Sequence, residues 1–408
     1  MKLLKVHSVT ETRNIIDSML YKSWDYFEEI HAEESIGRVA FENIYSPIEL
    51  PEHTKSVVDG YALKSKDTIG AGESMPVFLD VLGQIEMGKG DDIEVKNNTA
   101  VYVPTGAIIP KGADGVVMIE YVENLDENTI AAYVPIAPGQ GLIEKGDDIK
   151  KGDTVLTKGK RIRAGDIAVL CAVGIERIKV CKKIKLSIIS TGDEIVDSFG
   201  KVKKGQIRDI NTHLLASMAL ESGADIGLKI LTKDVFDDIK RAIEESLEIS
   251  DMVVISGGSS AGNKDMTVNV IKALKKGEVF VHGVAVKPGK PTIIGKVGDK
   301  AVFGLPGHPA SAMIIYKIFV DYLIKKYYSM EEERILIEGI SAENIHSAPG
   351  KETYQAVELL YKDGAYEALP IYGKSAAISK VAKSEGFIRI DENKEGIRKG
   401  EKIIVELF

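Results

Sequence analysis

Between Lys185 and Tyr328 the chain alternates short apolar runs with amphipathic ones, and this alternation constrains its fold more than any other feature. KLSIIS, DIGLKIL and DMVVIS read as strands buried on both faces. Between them, NTHLLASMALESG reads as a helix with Asn211 as its N-cap. DVFDDIKRAIEESLE brings Val235, Ile239, Ala242, Ile243 and Leu247 to one helical face. A further helix is expected from about Asp265, then a strand pair around KPGKP, the strand AVFGLP and a helix through ASAMIIYKIFVDYLIKKYY. Strands that alternate with helices form a parallel, doubly wound sheet. Ligands of such sheets sit at the carboxyl ends of the strands.

With 408 residues the chain exceeds one compact domain of roughly 100–200 residues. Ser8 and Glu11 have capping-box spacing and open a long N-terminal helical segment, with Gly37 ending the next helical stretch. Such a helix has little core of its own and is expected to bury its apolar stripe on a partner. Residues 46–146 change texture: short β-branched runs separated by Gly, Pro and Asn mark an inserted β-rich module. Residues 147–180 supply a strand and a helix near Ala164–Val173 that return to residues 1–45. The α/β domain occupies 181–330, the charged run EEER marks a boundary, and 331–408 read as a small β domain.

A net charge of -8 gives no bulk basic field, which argues against nucleic acid as a partner. Cys171 and Cys181 are the only cysteines, too few for a disulfide framework or a zinc site, which suits a reducing cytosol. The N-terminus lacks the apolar core of a signal peptide and no run is long enough to span a membrane, so a cytoplasmic protein is expected.

Against that acidic background KPGKP stands out. Lys287 and Lys290 are each followed by proline, so two ammonium groups are held on a stiff, non-helical segment. Like charges held together call for an anion. Three loops follow apolar strands: ISTGDEI with Thr191, Gly192, Asp193 and Glu194; VVISGGSSAGNKD with Ser256, Gly257, Gly258, Ser259, Ser260 and Asp265; and VFGLPGHPASA with Gly307 and Ser311. Small residues let a ligand approach the backbone, and consecutive N–H groups with serine hydroxyls make an anion-binding concavity. One such loop is also what an ordinary turn looks like; three on one sheet, with paired lysines, point to a phosphate or oxyanion. A Walker A loop is excluded because Ala368 stands where YGKSA would need glycine. No G-x-G-x-x-G opens the sheet, and the histidines show no metal-ligand spacing. Asp59, in SVVDGYAL, lies in a turn.

SVVDGYAL, PTGAIIPKGADGVVM, KGDDIKKGD, STGDEI, GQIRDINTHLL, SGGSSAGNKD, VAVKPGKPTIIG, GLPGHPASA and GKSAAISKVAKSEGFI occur in register along nearly the whole chain. In this set the chain resembles the molybdopterin molybdenumtransferase family. The resemblance implies four domains, a C-terminal β-barrel-like domain, and a homodimer whose cleft is shared between subunits. It also implies a reaction in which adenylated molybdopterin and molybdate (or tungstate) yield AMP and metal-loaded cofactor, with Mg2+ required. By resemblance, Lys287, Lys290 and Pro291 lie by the oxyanion, Ser260, Asp265 and Ser311 in the same pocket, and Ser375 in the last domain. Asp59, Thr105, Asp148, Glu194 and Asp234 match functional acidic or polar positions, and Glu194 and Asp265 are the carboxylates expected to hold magnesium. Thr191, Gly192, Asp193, Ser256, Gly257, Gly258 and Gly307 are expected to bind the cofactor. Departures are Ile143 and Lys351 where arginine is usual, Ala356 in place of a second arginine, His308 for asparagine and Ser259 for an apolar residue. Lysine supplies charge without a bidentate fork, so oxyanion selectivity is an open expectation. Molybdopterin adenylyltransferase and molybdoenzymes are the expected protein partners. A molybdopterin adenylyltransferase and a non-catalytic scaffold are the competing readings.

Overall fold

In a computed structural model of the protein, residues 6–22, 25–88, 92–257, 264–331, 334–372 and 378–408 are described. The central sheet has the strand order Asp225–Thr232, Lys185–Thr191, Met252–Gly257, Lys300–Leu305, Ile293–Val297, Gly277–His282. The first four strands are parallel. Alternate residues feed opposite faces, as strand geometry requires. Leu186, Ile188, Met252, Val254 and Phe303 join a core with the helix Asn211–Glu221 and the long C-terminal helix. Ile189, Val253, Ile255 and Val302 join a second core with Ile239, Ala242 and Ile243 of the helix Phe236–Ile249 and with Val268, Val270 and Ile271 of Lys264–Ala273. Both faces are therefore covered, as the doubly wound reading requires.

The sheet is mixed, however, where alternation alone reads as parallel. Its last two strands are antiparallel. Val297 pairs with Lys300 across a turn at Gly298 (φ 61°), and no helix intervenes to carry the chain back for a parallel return. The long helix runs through Pro309–Ile315, a π-turn at Tyr316–Val320 and Asp321–Tyr327.

The N-terminal helix covers only Val9–Met19. Its capping box is formed: the Glu11 N–H donates to Ser8 Oγ at 3.1 Å and the Ser8 N–H to Glu11 Oε2 at 2.9 Å. The expected further helical stretch is instead the strand Phe27–His31, antiparallel to Arg177–Cys181, followed by a 3-10 turn at Ala32–Ser35. That pairing partner lies about 150 residues away in sequence, beyond the reach of local periodicity. Val9 and Ile16 pack into the core of the α/β domain, Tyr322 Oη donates to Asp17 Oδ2 at 2.8 Å and Tyr327 Oη to the Leu20 carbonyl at 2.9 Å. The apolar stripe is thus buried within the chain, not on a partner.

Strands from Gly60–Leu63 to Thr129–Ala132 build a second six-stranded sheet. At the C-terminus, Glu352–Lys362 pairs on one side with Ala365–Pro370 and on the other with Gly386–Ile390, which closes a barrel through Leu336–Ser341 and Lys402–Leu407. Val357, Ala368, Ile388 and Val405 are among the residues of its core. The Val286–Lys287 segment adds itself parallel to Glu352–Thr353, which joins the lysine turn to the barrel. Among the described residues no helix is long and apolar enough to cross a membrane.

Phe303 is fully buried on a central strand between the two helix layers. Phe303→Ala should lower stability by roughly 3–5 kcal/mol, the usual cost of a large core cavity. Denaturant unfolding monitored by circular dichroism measures it.

Candidate active site at the carboxyl edge of the central sheet

Parallel register brings the strand ends level. Thr191 pairs with Gly257 on one side and Thr232 on the other, and Ser256 pairs with Leu305. The described loops that follow these strands emerge at one edge, around a cleft of about 700 Å³. Ser190, Thr191, Glu194, Asp234, Gly257, Gly307 and His308 line it, together with the segment Gln206–Asn211.

Within this edge, Thr191 Oγ1 donates to Asp234 Oδ1, the Asp234 N–H donates to Asp193 Oδ1 at 3.4 Å, and the Gly192 N–H to the Thr232 carbonyl at 3.3 Å. Gly257 has φ 122°, and a Cβ there would lie 2.0 Å from the Thr191 carbonyl oxygen. Only glycine allows the two strand ends to approach this closely. Ser256 is fully buried, and Ser311 is buried in the first turn of Pro309–Ile315.

Asn211 does not cap its helix. Asp209 does so, its Oδ1 accepting the Thr212 N–H at 3.1 Å, and Asn211 is the first helical residue. Its carboxamide nitrogen donates to Ser256 Oγ at 2.8 Å and to the Gly307 carbonyl at 2.7 Å, tying the end of one strand to the loop after another. Asn211 Oδ1 and Ser190 Oγ are buried without a hydrogen-bond partner. Native proteins seldom leave buried polar atoms unmatched, so such atoms beside a cleft mark a ligand site.

The lysine turn lies at the same edge of the sheet, since Ile293, just beyond it, pairs with Gly304 near the carboxyl end of its neighbour. Lys287 and Lys290 are exposed and in no ion pair among the described residues. The turn is fixed by Gly289 (φ 111°), where a Cβ would lie 2.4 Å from the Ile315 side chain, and by Thr292 Oγ1 donating to the Gly289 carbonyl at 2.7 Å. Pro291 is half-buried at its end. Across the seam Lys287 faces Thr353, Lys351 is two residues before Thr353, and Ala356 stands further along that strand.

The N-terminal candidates form a separate group. The Thr105 N–H donates to Asp59 Oδ1 at 2.7 Å, and both residues are exposed. Asp148 is exposed where its N–H meets the Leu50 carbonyl at 3.0 Å, and Ile143 pairs with Lys55. Among the described residues no hydrogen bond or ion pair joins Asp59, Thr105 or Asp148 to the central cleft. Gly258, Ser259, Ser260 and Ser375 lie outside the described residues, as does the side chain of Asp265 in the first turn of Lys264–Ala273.

No cluster of three or more His, Cys, Asp or Glu able to hold a metal is present among the described residues. Asp193 and Glu194 are exposed and in no ion pair among them. Hard carboxylate oxygens at an open cleft fit a magnesium ion that keeps several waters. Ser190, Arg208 and Asp209 line the cleft without having stood out in the sequence, and Asn211 is the first residue of its helix, not its cap. The motif GQIRDINTHLL contains three of them, but which of its side chains reach the cleft depends on the helix start.

Three family models match in succession: MoeA N-terminal region (domain I and II) over residues 7–174, probable molybdopterin binding domain over 187–326, and MoeA C-terminal region (domain IV) over 338–408. The middle match puts the cleft in a molybdopterin-binding class of α/β domain. The chain is 31% identical to a molybdopterin molybdenumtransferase of Staphylococcus aureus, covering 92% of this chain and 90% of that one. It is 30% identical to one of Haemophilus influenzae, covering 93% and 94%. The crystal structure of a molybdopterin biosynthesis MoeA protein from Pyrococcus horikoshii superposes with a TM-score of 0.87 at 29% identity, covering 99% of this chain and all of that one. The chain belongs to the molybdopterin molybdenumtransferase (MoeA) family, transferases of molybdenum cofactor biosynthesis.

Gly289→Ala should displace the lysine turn or the helix beneath it, at a cost of roughly 1–3 kcal/mol for overpacking. Thermal unfolding and oxyanion binding should both worsen, whereas Gly298→Ala, with open space at Cβ, should leave oxyanion binding intact.

Proposed function

We propose that this protein inserts molybdate, or tungstate, into adenylated molybdopterin with release of AMP, acting as a cytoplasmic homodimer with a divalent cation. The observation that carries this reading is the gathering of the TGDE loop, Asp234, the Ser256–Gly257 strand end, Gly307 and the lysine turn at one edge of one sheet. The substrate bears a pyrophosphate and meets a metal oxyanion, so it needs cations at one end and carboxylates able to hold a metal ion at the other. Lys287 and Lys290 supply the first as compact point charges. Glu194, with Asp265 beside it in the family pattern, would hold magnesium, which offsets charge developing on the cleaved phosphoryl oxygens. Thr191 orients the Asp234 carboxylate. The lysines fix the oxyanion against the barrel seam, where Lys351 adds a third cation.

Incubation with adenylated molybdopterin, magnesium and molybdate should release AMP. Adenylylation of molybdopterin from ATP, or no turnover at all, would overturn the proposal. Lys287→Ala and Lys290→Ala should each weaken transition-state binding by roughly 1.5–3 kcal/mol, about 10- to 100-fold in turnover, while leaving unfolding unchanged because both side chains are solvated.

Asp59, Thr105 and Asp148 support a cleft shared across a two-fold axis, because within one chain no described bond ties them to the central site. Mixing the impaired Asp59→Asn and Lys290→Ala variants should then restore up to about half the activity per heterodimer, one cleft collecting both lesions and the other neither. Inert mixed dimers, or a fully active monomer, would show that each chain completes its own site.

A further inference from the structure

The floor of the cleft carries two oxygens that nothing so far explains. Ser190 and Asn211 both line the cleft, are 1% and 7% exposed, and have Ser190 Oγ and Asn211 Oδ1 without partners. They are near neighbours: Ser190 pairs in register with Ser256, and Asn211 bonds Ser256 Oγ. The orientation of the Asn211 amide is set by its surroundings. The Gly307 carbonyl can only accept, so the NH2 group must face it, and its second hydrogen goes to Ser256. Oδ1 is therefore a fixed acceptor, and its missing partner must be a donor. The Ser190 hydroxyl can give or take a hydrogen.

The rest of the lining agrees with a neutral, donor-bearing group. Glu194, Asp209 and Asp234 line the same cleft, and among the described residues Arg208 is the one lysine or arginine that does. A bare phosphate over this floor would meet acceptors. An amino group beside a ring nitrogen would not: its N–H reaches Asn211 Oδ1 while Ser190 donates to the ring nitrogen. We propose that Ser190 and Asn211 form a subsite that reads the amino-substituted edge of a heterocycle in the substrate. This rests on the reading of the cleft as the adenylated-pterin site. Pterin and adenine both carry that edge, at opposite ends of such a substrate, and the phosphates and oxyanion then extend from the cleft toward the lysine turn.

Ser190→Ala tests this well because the hydroxyl makes no bond within the protein that the substitution could break. Binding is measured by titration calorimetry with two pairs of probes, AMP against IMP and pterin against lumazine. The second member of each pair has a carbonyl in place of the amino group. Wild-type protein should prefer the amino member of one pair by roughly 10-fold or more, since a site built around a hydrogen bond rejects the mismatched analogue. The preferred pair identifies the ring that sits there. In Ser190→Ala that preference should shrink several-fold, with the melting temperature of the ligand-free protein unchanged or higher. A preference that survives Ser190→Ala, or equal binding within both pairs by the wild type, overturns the subsite alone. A lower melting temperature with unaltered preference assigns the hydroxyl a structural role and likewise overturns it. Failure of AMP and pterin to bind the wild type at all overturns the cleft reading and the subsite together.

Discussion

Four parallel strands in register are the constraint on which the site depends. Because Thr191 and Thr232 lie level with Gly257, the loops that follow Thr191 and Thr232 must emerge side by side, whatever their own sequences. The strands are held level by burial on both faces: Ile188 and Val254 pack to one side, Ile189 and Val253 to the other. Backbone polar groups there have only the ladder to satisfy them, so a slip in register would strand them in an apolar layer. The close approach of Gly257 to Thr191 and the two bonds from Asn211 then fix these strand ends and the Gly307 loop relative to one another.

The antiparallel edge serves a different purpose. By leaving the sheet after Gly277–His282 and returning at Ile293–Val297, the chain makes an excursion that carries both lysines and also pairs with the barrel. A cationic turn is thereby placed on a seam between two cores, and its backbone is fixed by contacts of Gly289 and Thr292 that involve no charged group. This lets the ammonium groups remain solvated and available. Three of the departures expected from the family resemblance lie at this seam and cleft. Ala356 lies on the barrel strand that the lysine turn joins, Lys351 immediately precedes that strand, and His308 lines the cleft. Replacing arginine forks by one lysine and one alanine trades directional bidentate contacts for a diffuse positive field.

The sequence by itself determined the α/β alternation, the β-rich insertion, the small C-terminal β domain and the strand-end position of the TGDE and PGHP loops, because each rests on local periodicity and turn chemistry. It also determined the non-helical character of KPGKP, since proline acts on its own neighbours. Tertiary structure alone decided the rest. Phe27–His31 became a strand because Arg177–Cys181 offered a ladder, and the N-terminal helix found its burial on Tyr322 and Tyr327 of the same chain. Barrel closure required Glu352–Lys362 to meet two strands at once. Asparagine is a residue type that caps helices, yet Asp209 caps this helix while Asn211 links a strand end to a loop. Those partners are brought within about 3 Å only by the packing of that helix on the sheet, a distance that no spacing along the chain encodes.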